Sequence, residues 1–184
     1  LARLVDDSVV LDYKPGFGAA TVCGHVAIEG QPCGFIGNNG PIDPQGANKA
    51  TQFMQLCNQS GTPLVYLQNT TGFMVGKDVE QVGMIKHGSK MIQAVTNCKV
   101  PRITLMIGAS FGAGNYGMCG RAYDPQFVFA WPHARVAGVG GGAAPAPCPF
   151  THPALPASGL RGRLGGAREV KKKKEKADGD VEMR

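Results

Sequence analysis

Apolar and polar positions along residues 1–137 predict alternating strands and helices. Residues 1–13 (LARLVDDSVVLDY) mix apolar residues at helical spacing with a polar break at Asp6, Asp7 and Ser8, which predicts the end of a helix. Residues 20–28 read as a strand, EGQP at 29–32 supplies turn chemistry, and CGFIG at 33–37 is a second apolar run. Together they predict a β-hairpin that stops at Asn38, Asn39 and Gly40. Further on, Ala47, Ala50, Phe53, Met54 and Cys57 fall on one helical face, with Asp43 placed to cap that helix and Pro44 at its first position. Residues 61–63 end the helix, and LVYLQ at 64–68 is nearly all apolar, as expected of a strand covered on both faces.

Residues 78–97 predict a longer helix with Val82, Ile85, Ser89, Ile92 and Val95 along one side and Lys77, Lys86, Lys90 and Lys99 mostly off it. Pro101 separates this helix from a strand at 103–107. A glycine-rich turn and a helix of about one to three turns follow, and after Pro125 comes a strand at 127–130. The order ββαβαβαβ favours an α/β fold with crossover connections. The length is enough for one domain with a sizeable core.

At Gly138 the pattern stops. Residues 138–166 hold eight Gly and five Pro without periodicity, and 171–176 read KKKKEK, so 138–184 is expected to be a disordered tail. Charge divides at the same place: 1–137 carries ten Lys/Arg against eight Asp/Glu, and 138–184 nine against five. The body is nearly neutral and has no basic stripe interleaved with aromatics, which argues against nucleic acid as a partner. Cys23, Cys33, Cys57, Cys98, Cys119 and Cys148 are widely spaced, without a C-x-x-C pair or a histidine at zinc spacing; they read as small buried residues of a reducing compartment, with no metal site. No apolar run is long enough to span a membrane, no secretory signal is visible, and the missing initial methionine leads us to expect an amino-terminally incomplete chain.

Candidate chemistry concentrates in two glycine turns, NTTGFMVG (69–76) and GASFGAGNYG (108–117). Residues 112–117 match G-x-G-x-x-G after a strand, but the acid that would hold a ribose is missing, because no Asp or Glu lies between Asp124 and Glu169. Residues 108–112 match G-x-S-x-G around Ser110, yet a hydrolase triad could draw only on Asp124 and His133, while His25 and His87 read as structural and surface residues. A third reading joins the turns. If strands 64–68 and 103–107 are parallel neighbours, Gly72 and Phe73 meet Ala113 and Gly114 at one sheet edge, where converging backbone N–H groups form an oxyanion hole. The plainer alternative is that the glycines only permit close helix–sheet packing.

The runs LVYLQNTTGFMVGKDVEQVGMIKHGSKMIQAV (64–95) and ITLMIGASFGAGNYGMCGRAYDPQFVFAWPHARVA (103–137), with FIGNNG (35–40) and FMQLCNQSGTPL (53–64), closely resemble the carboxyl-terminal domain of the carboxyltransferase β subunit of biotin-dependent acyl-CoA carboxylases. QNTTGFMVG and GAGNYGMCGRAY look most like the 3-methylcrotonyl-CoA carboxylase branch, with geranyl-CoA carboxylase close by. The resemblance implies a crotonase-type α/β fold of stacked ββα units, present here as a partial domain over 1–137. It also implies transfer of CO₂ from carboxybiotin to a branched enoyl-CoA, as in leucine degradation. Biotin would arrive on a partner α subunit, which would also use ATP and bicarbonate, and the β subunits would form a homo-oligomer. By resemblance, Gly72, Phe73, Ala113 and Gly114 supply the oxyanion holes. Thr71, Met74, Val75, Phe111, Gly112 and Asn115 line the biotin pocket, and Asn38, Asn39 and Gly40 approach the acyl-CoA. The compartment would be the mitochondrial matrix in a eukaryote and the cytoplasm in a bacterium. After Ala137 the chain departs from the family's continuation, so a fragment or an altered reading frame is expected, and a non-catalytic crotonase-like remnant is the alternative.

Overall fold

The computed structural model describes residues 4–138. The expected tail lies outside the described residues beyond Gly138, and so does Cys148. In chain order the elements are β1 (Leu11–Asp12), β2 (Thr21–Ile28), β3 (Gln31–Asn38), α1 (Pro44–Ser60), β4 (Leu64–Thr70), α2 (Lys77–Gln81), α3 (Met84–Asn97), β5 (Arg102–Phe111), α4 (Gly112–Gly117), β6 (Phe127–Ala130) and β7 (Arg135–Ala137). The sheet order is β1-β2-β3-β4-β5-β6, with β7 also pairing to β5. Pairing is antiparallel from β1 to β3 and parallel from β3 onward, with Tyr66 opposite both Ile36 and Thr104. The crossovers through α1 and α3 step the same way across the sheet, so right-handed connections put both helices on one face.

The helix α1 forms as its sequence dictates. Asp43 Oδ1 accepts the Gly46 N–H at 2.8 Å, Pro44 occupies the first turn, and Gly61 closes the helix in the left-handed region at φ +70°. The expected apolar face is fully buried in one core with Ile36, Tyr66, Met91, Val95 and Met118. A smaller cluster of Val5, Val26, Cys33 and Phe35 forms separately, with Val22 and Val65 packed against it.

Four expectations need correction. Among described residues 4–13 there is no continuing helix, only a 3-10 turn at Asp6–Ser8 and the short strand β1. The reason is the Asp6 carboxylate, which accepts the Glu29 and Gly30 N–H groups at 2.9 and 2.7 Å and so binds this segment to the hairpin turn. That turn is Glu29 and Gly30 alone, both at positive φ, which leaves Gln31 and Pro32 paired in β3. The expected helix over 78–97 is broken at Gly83, whose φ is +93°. Rotated by that break, α3 buries Met84, Gly88, Met91, Ala94 and Val95, while Val82 and Ile85 are 67% and 76% exposed. Finally, β5 extends through Ser110 to Phe111, because β7 pairs with its last residues.

Candidate active site

Strands β3, β4 and β5 run parallel, so the loops leaving their carboxyl ends share one edge of the sheet, where open α/β sheets place ligands. Asn69 knots the three loops together. Its N–H donates to Asn38 Oδ1 at 3.2 Å and its carbonyl accepts the Gly40 N–H at 2.9 Å. Its side chain donates to Asn39 Oδ1 at 2.9 Å and accepts the Ala109 N–H at 3.0 Å. The expected acyl-CoA-facing residues Asn38, Asn39 and Gly40 are thus joined directly to the first glycine turn. A second tie is the parallel bridge of Ile42 with Phe73, in which Ile42 N–H donates to Gly72 O and Met74 N–H donates to Ile42 O, each at 2.9 Å.

The two glycine turns touch. A Cβ on Gly114 would lie 2.8 Å from both Gly72 Cα and Thr70 Cγ2, so only glycine lets the backbones approach this closely. Gly72 sits at φ +129°, and its N–H donates to Thr70 Oγ1 at 3.1 Å. In a parallel ladder successive N–H groups point to opposite sides, so with Met74 bonded to Ile42 the Phe73 N–H points away from that strand. The Phe73 ring is held by two more glycines, 3.6 Å from where a Cβ on Gly88 would be and 2.9 Å from one on Gly117. Across from Phe73, the N–H groups of Ala113 and Gly114 belong to the first turn of α4, which has no side-chain cap.

Electrostatically this edge relies on dipoles. Residues 69–76 and 110–117 contain no Asp, Glu, Lys, Arg or His. Backbone donors without a fixed counter-charge suit a neutral group that gains negative charge during reaction. Beside the first turn lies an open groove of about 290 Å³, lined by the apolar Phe73, Met74, Val75, Met84, Ile85 and Ile92 and, outside the turn itself, by Glu80. Met74 and Val75 of the expected biotin-lining set border it, and Val75 is 83% exposed. Thr71 is exposed at the turn's tip, Phe111 and Gly112 are half-buried where β5 meets α4, and Gly112 adopts φ +53°. Asn115 faces inward: its Nδ2 donates to Ser110 Oγ at 2.7 Å and to Gln68 Oε1 at 3.3 Å.

The competing sequence readings lose ground here. Ser110 is fully buried and donates its hydroxyl to Gln68 Oε1, so it is not presented as a nucleophile. His25 packs against Phe53 with ring centroids 5.0 Å apart and the planes tilted by 56°, and His87 Nδ1 lies 2.8 Å from Asn48 Oδ1. The cysteines Cys23, Cys33, Cys57, Cys98 and Cys119 are free and buried, and burial pushes Cys23 and Cys57 up to about 12. They are small core residues, as their scattered spacing suggests. Sequence reasoning missed Gln68, Asn69 and Thr70, whose signal was present: three polar residues close an otherwise apolar run, LVYLQNT.

Comparison with known proteins adds an independent line. The family model for the carboxyl transferase domain matches residues 1–175. A probable biotin-dependent acyl-coenzyme A carboxylase beta2 subunit of Mycobacterium tuberculosis is 56% identical over 142 residues, which cover 77% of this chain and 27% of that one. The mitochondrial methylcrotonoyl-CoA carboxylase beta chain of Dictyostelium discoideum is 52% identical over 141 residues, covering 77% and 24%. Among solved structures, the beta subunit of geranyl-CoA carboxylase from P. aeruginosa superposes with a TM-score of 0.74 at 64% identity, covering 76% of this chain and 27% of that chain. The chain therefore spans about a quarter of the length of these relatives. The crotonase-type α/β fold expected from the resemblance is the fold observed.

Proposed function

Because this chain belongs to the carboxyl transferase domain family, we propose that it forms part of the carboxyltransferase site of a biotin-dependent acyl-CoA carboxylase, acting on a branched enoyl-CoA. The observation that supports this reading is the contact of Gly114 with Gly72, which brings the two glycine turns together; on this reading the Phe73 N–H and the first-turn N–H groups of Ala113 and Gly114 converge as donors. Such donors stabilise an oxyanion where it develops, and each is worth about 3–4 kcal/mol of barrier. The uncharged turns fit biotin, whose ureido ring is neutral at rest, and the apolar Met74 and Val75 with Thr71, Phe111 and Gly112 would hold it. When bound, biotin supplies the carboxyl group. This chain's residues orient the ring and fix the donors. The loop of Asn38, Asn39 and Gly40, joined to the same site through Asn69, would guide the acyl-CoA.

The reading implies a biotin-carrying α subunit, which uses ATP and bicarbonate, and an oligomer of β subunits. It places the protein in the mitochondrial matrix if the source is eukaryotic. The substrate is 3-methylcrotonyl-CoA in the first instance, and geranyl-CoA is a second reading favoured by the 64% identity to that enzyme's beta subunit. The test uses a β subunit of full family length carrying these residues, assembled with its α subunit and assayed for bicarbonate fixation into both acyl-CoAs. Activity on one of them is expected, Gly114→Pro should abolish it by removing a donor, and His87→Gln should leave it intact. Normal turnover by the proline variant would sink the assignment.

A further inference from the structure

The short helix α4 has six residues, three of them glycine, and no N-terminal side-chain cap, so its own propensity cannot hold it in place. It is instead held by a buried polar cluster beneath it. Gln68 is fully buried in the central strand β4, and a side-chain amide there must satisfy its hydrogen bonds internally. Its Nε2 donates to the Met118 carbonyl, just past the end of α4, at 2.6 Å. Its Oε1 accepts from Ser110 Oγ at 2.5 Å and from Asn115 Nδ2 at 3.3 Å, and Asn115 Nδ2 also donates to Ser110 Oγ at 2.7 Å. A shift in strand register builds this cluster: Gln68 pairs with Met106, but two residues on Thr70 pairs with Ser110, so the irregularity in β5 draws Ser110 back toward Gln68. Asn115 is fixed from its other side as well, since a Cβ on Gly120 would collide with Asn115 Oδ1.

We infer that Gln68, Ser110 and Asn115 are positioning residues which hold the second glycine turn at the distance and angle from the first that carboxyl transfer requires. Neither Gln68 nor Ser110 opens to the site; they act on it only through α4. This turns Asn115 from a wall of the pocket into a strut behind it, and it gives the G-x-S-x-G serine a role without nucleophilic chemistry. The inference rests on the function proposed above.

Two measurements separate the inference from that reading. In the 184-residue chain, Ser110→Ala removes the bridging hydroxyl with almost no change in volume. Amide hydrogen exchange across 113–118 should then speed up by about tenfold or more while α1 amides are unchanged. Unchanged exchange in that turn would overturn the inference, whatever the enzyme does. In the full-length β subunit with its α subunit, Ser110→Ala should lower kcat by about tenfold or more with KM for the acyl-CoA within about twofold. Gln68→Met should act likewise, and the double variant should be no worse than the worse single one, because the residues work as one unit. Additive losses, or a lowered Tm with kcat per folded molecule preserved, would also overturn it. A wild-type assembly inactive on every acyl-CoA would remove the functional reading but leave the exchange result to decide the positioning role.

Discussion

Two glycines show how differently the same residue type can be used in this chain. Among the described residues nothing lies within 4 Å of an added Cβ on Gly16, whereas at Gly114 the added atom meets backbone of the facing turn at 2.8 Å. Gly16→Ala should therefore be neutral or stabilising by up to about 1 kcal/mol through loss of unfolded-state entropy. Gly114→Ala should be destabilising by about 1–3 kcal/mol, since the facing strand must give way. Urea unfolding of the two variants checks the contrast, and equal midpoints would refute it. The thiols make a second residue-scale prediction. Burial pushes Cys23 and Cys57 up to about 12 and Cys119 to about 11, from an ordinary value of 9.0. Below pH 9.0 both the folded and the unfolded chain keep these protons, and the groups make stability no different from one pH to the next. From there upward the unfolded chain loses them first, so the urea midpoint should fall as pH rises toward 11. The wild type is compared with Cys23→Ala, whose decline should be shallower because one of these thiols is gone.

At the scale of elements, α3 separates what pattern reading captures from what it does not. Periodicity marks 78–97 as helical and amphipathic, but it counts straight through Gly83, where the chain turns left-handed and restarts in a new phase. Met91 is consequently buried and Ile85 exposed. Met91→Ala should destabilise by about 2–5 kcal/mol, whereas Ile85→Lys should change stability by less than about 0.5 kcal/mol. Thermal unfolding of both variants distinguishes the observed face from the one counted along the sequence. The helix α1 was legible because its signals are local: Asp43, Pro44 and Gly61 bound a continuous apolar stripe. The pairing of β4 with β5, and with it the meeting of the two glycine turns, followed from crossover logic applied to two apolar runs. What could not be read was set by contacts distant in sequence. Asp6 reaches 23 residues ahead to Glu29, and Gln68 reaches 50 residues ahead to Met118. No window of helical or strand length contains either pair, and in each a common polar side chain meets a backbone group that nothing in the sequence marks.

For the whole molecule, the decisive fact is that one edge of one sheet carries the three loops, and that among the described residues this edge stands open. Ala113 is exposed on the second turn and Val75 is 83% exposed on the first. Backbone donors stabilise a developing oxyanion strongly only where water is excluded, because the same dipoles are screened in a high-dielectric medium. The relatives that share this segment are about four times as long, as its coverage of 27% and 24% of their lengths implies. On the function proposed here, the segment holds the donors in position, and the closing surface comes from the remainder of a full-length subunit. The 184-residue chain, supplied with the α subunit, bicarbonate, ATP and 3-methylcrotonyl-CoA, should then fix carbon at least about 10³-fold more slowly than a full-length β subunit under the same conditions, roughly the loss seen when preorganised donors stop working. Incorporation of labelled bicarbonate into acid-stable product measures it. Comparable rates from the two proteins would mean that the open edge is already a complete site, and the division of labour argued here would be wrong.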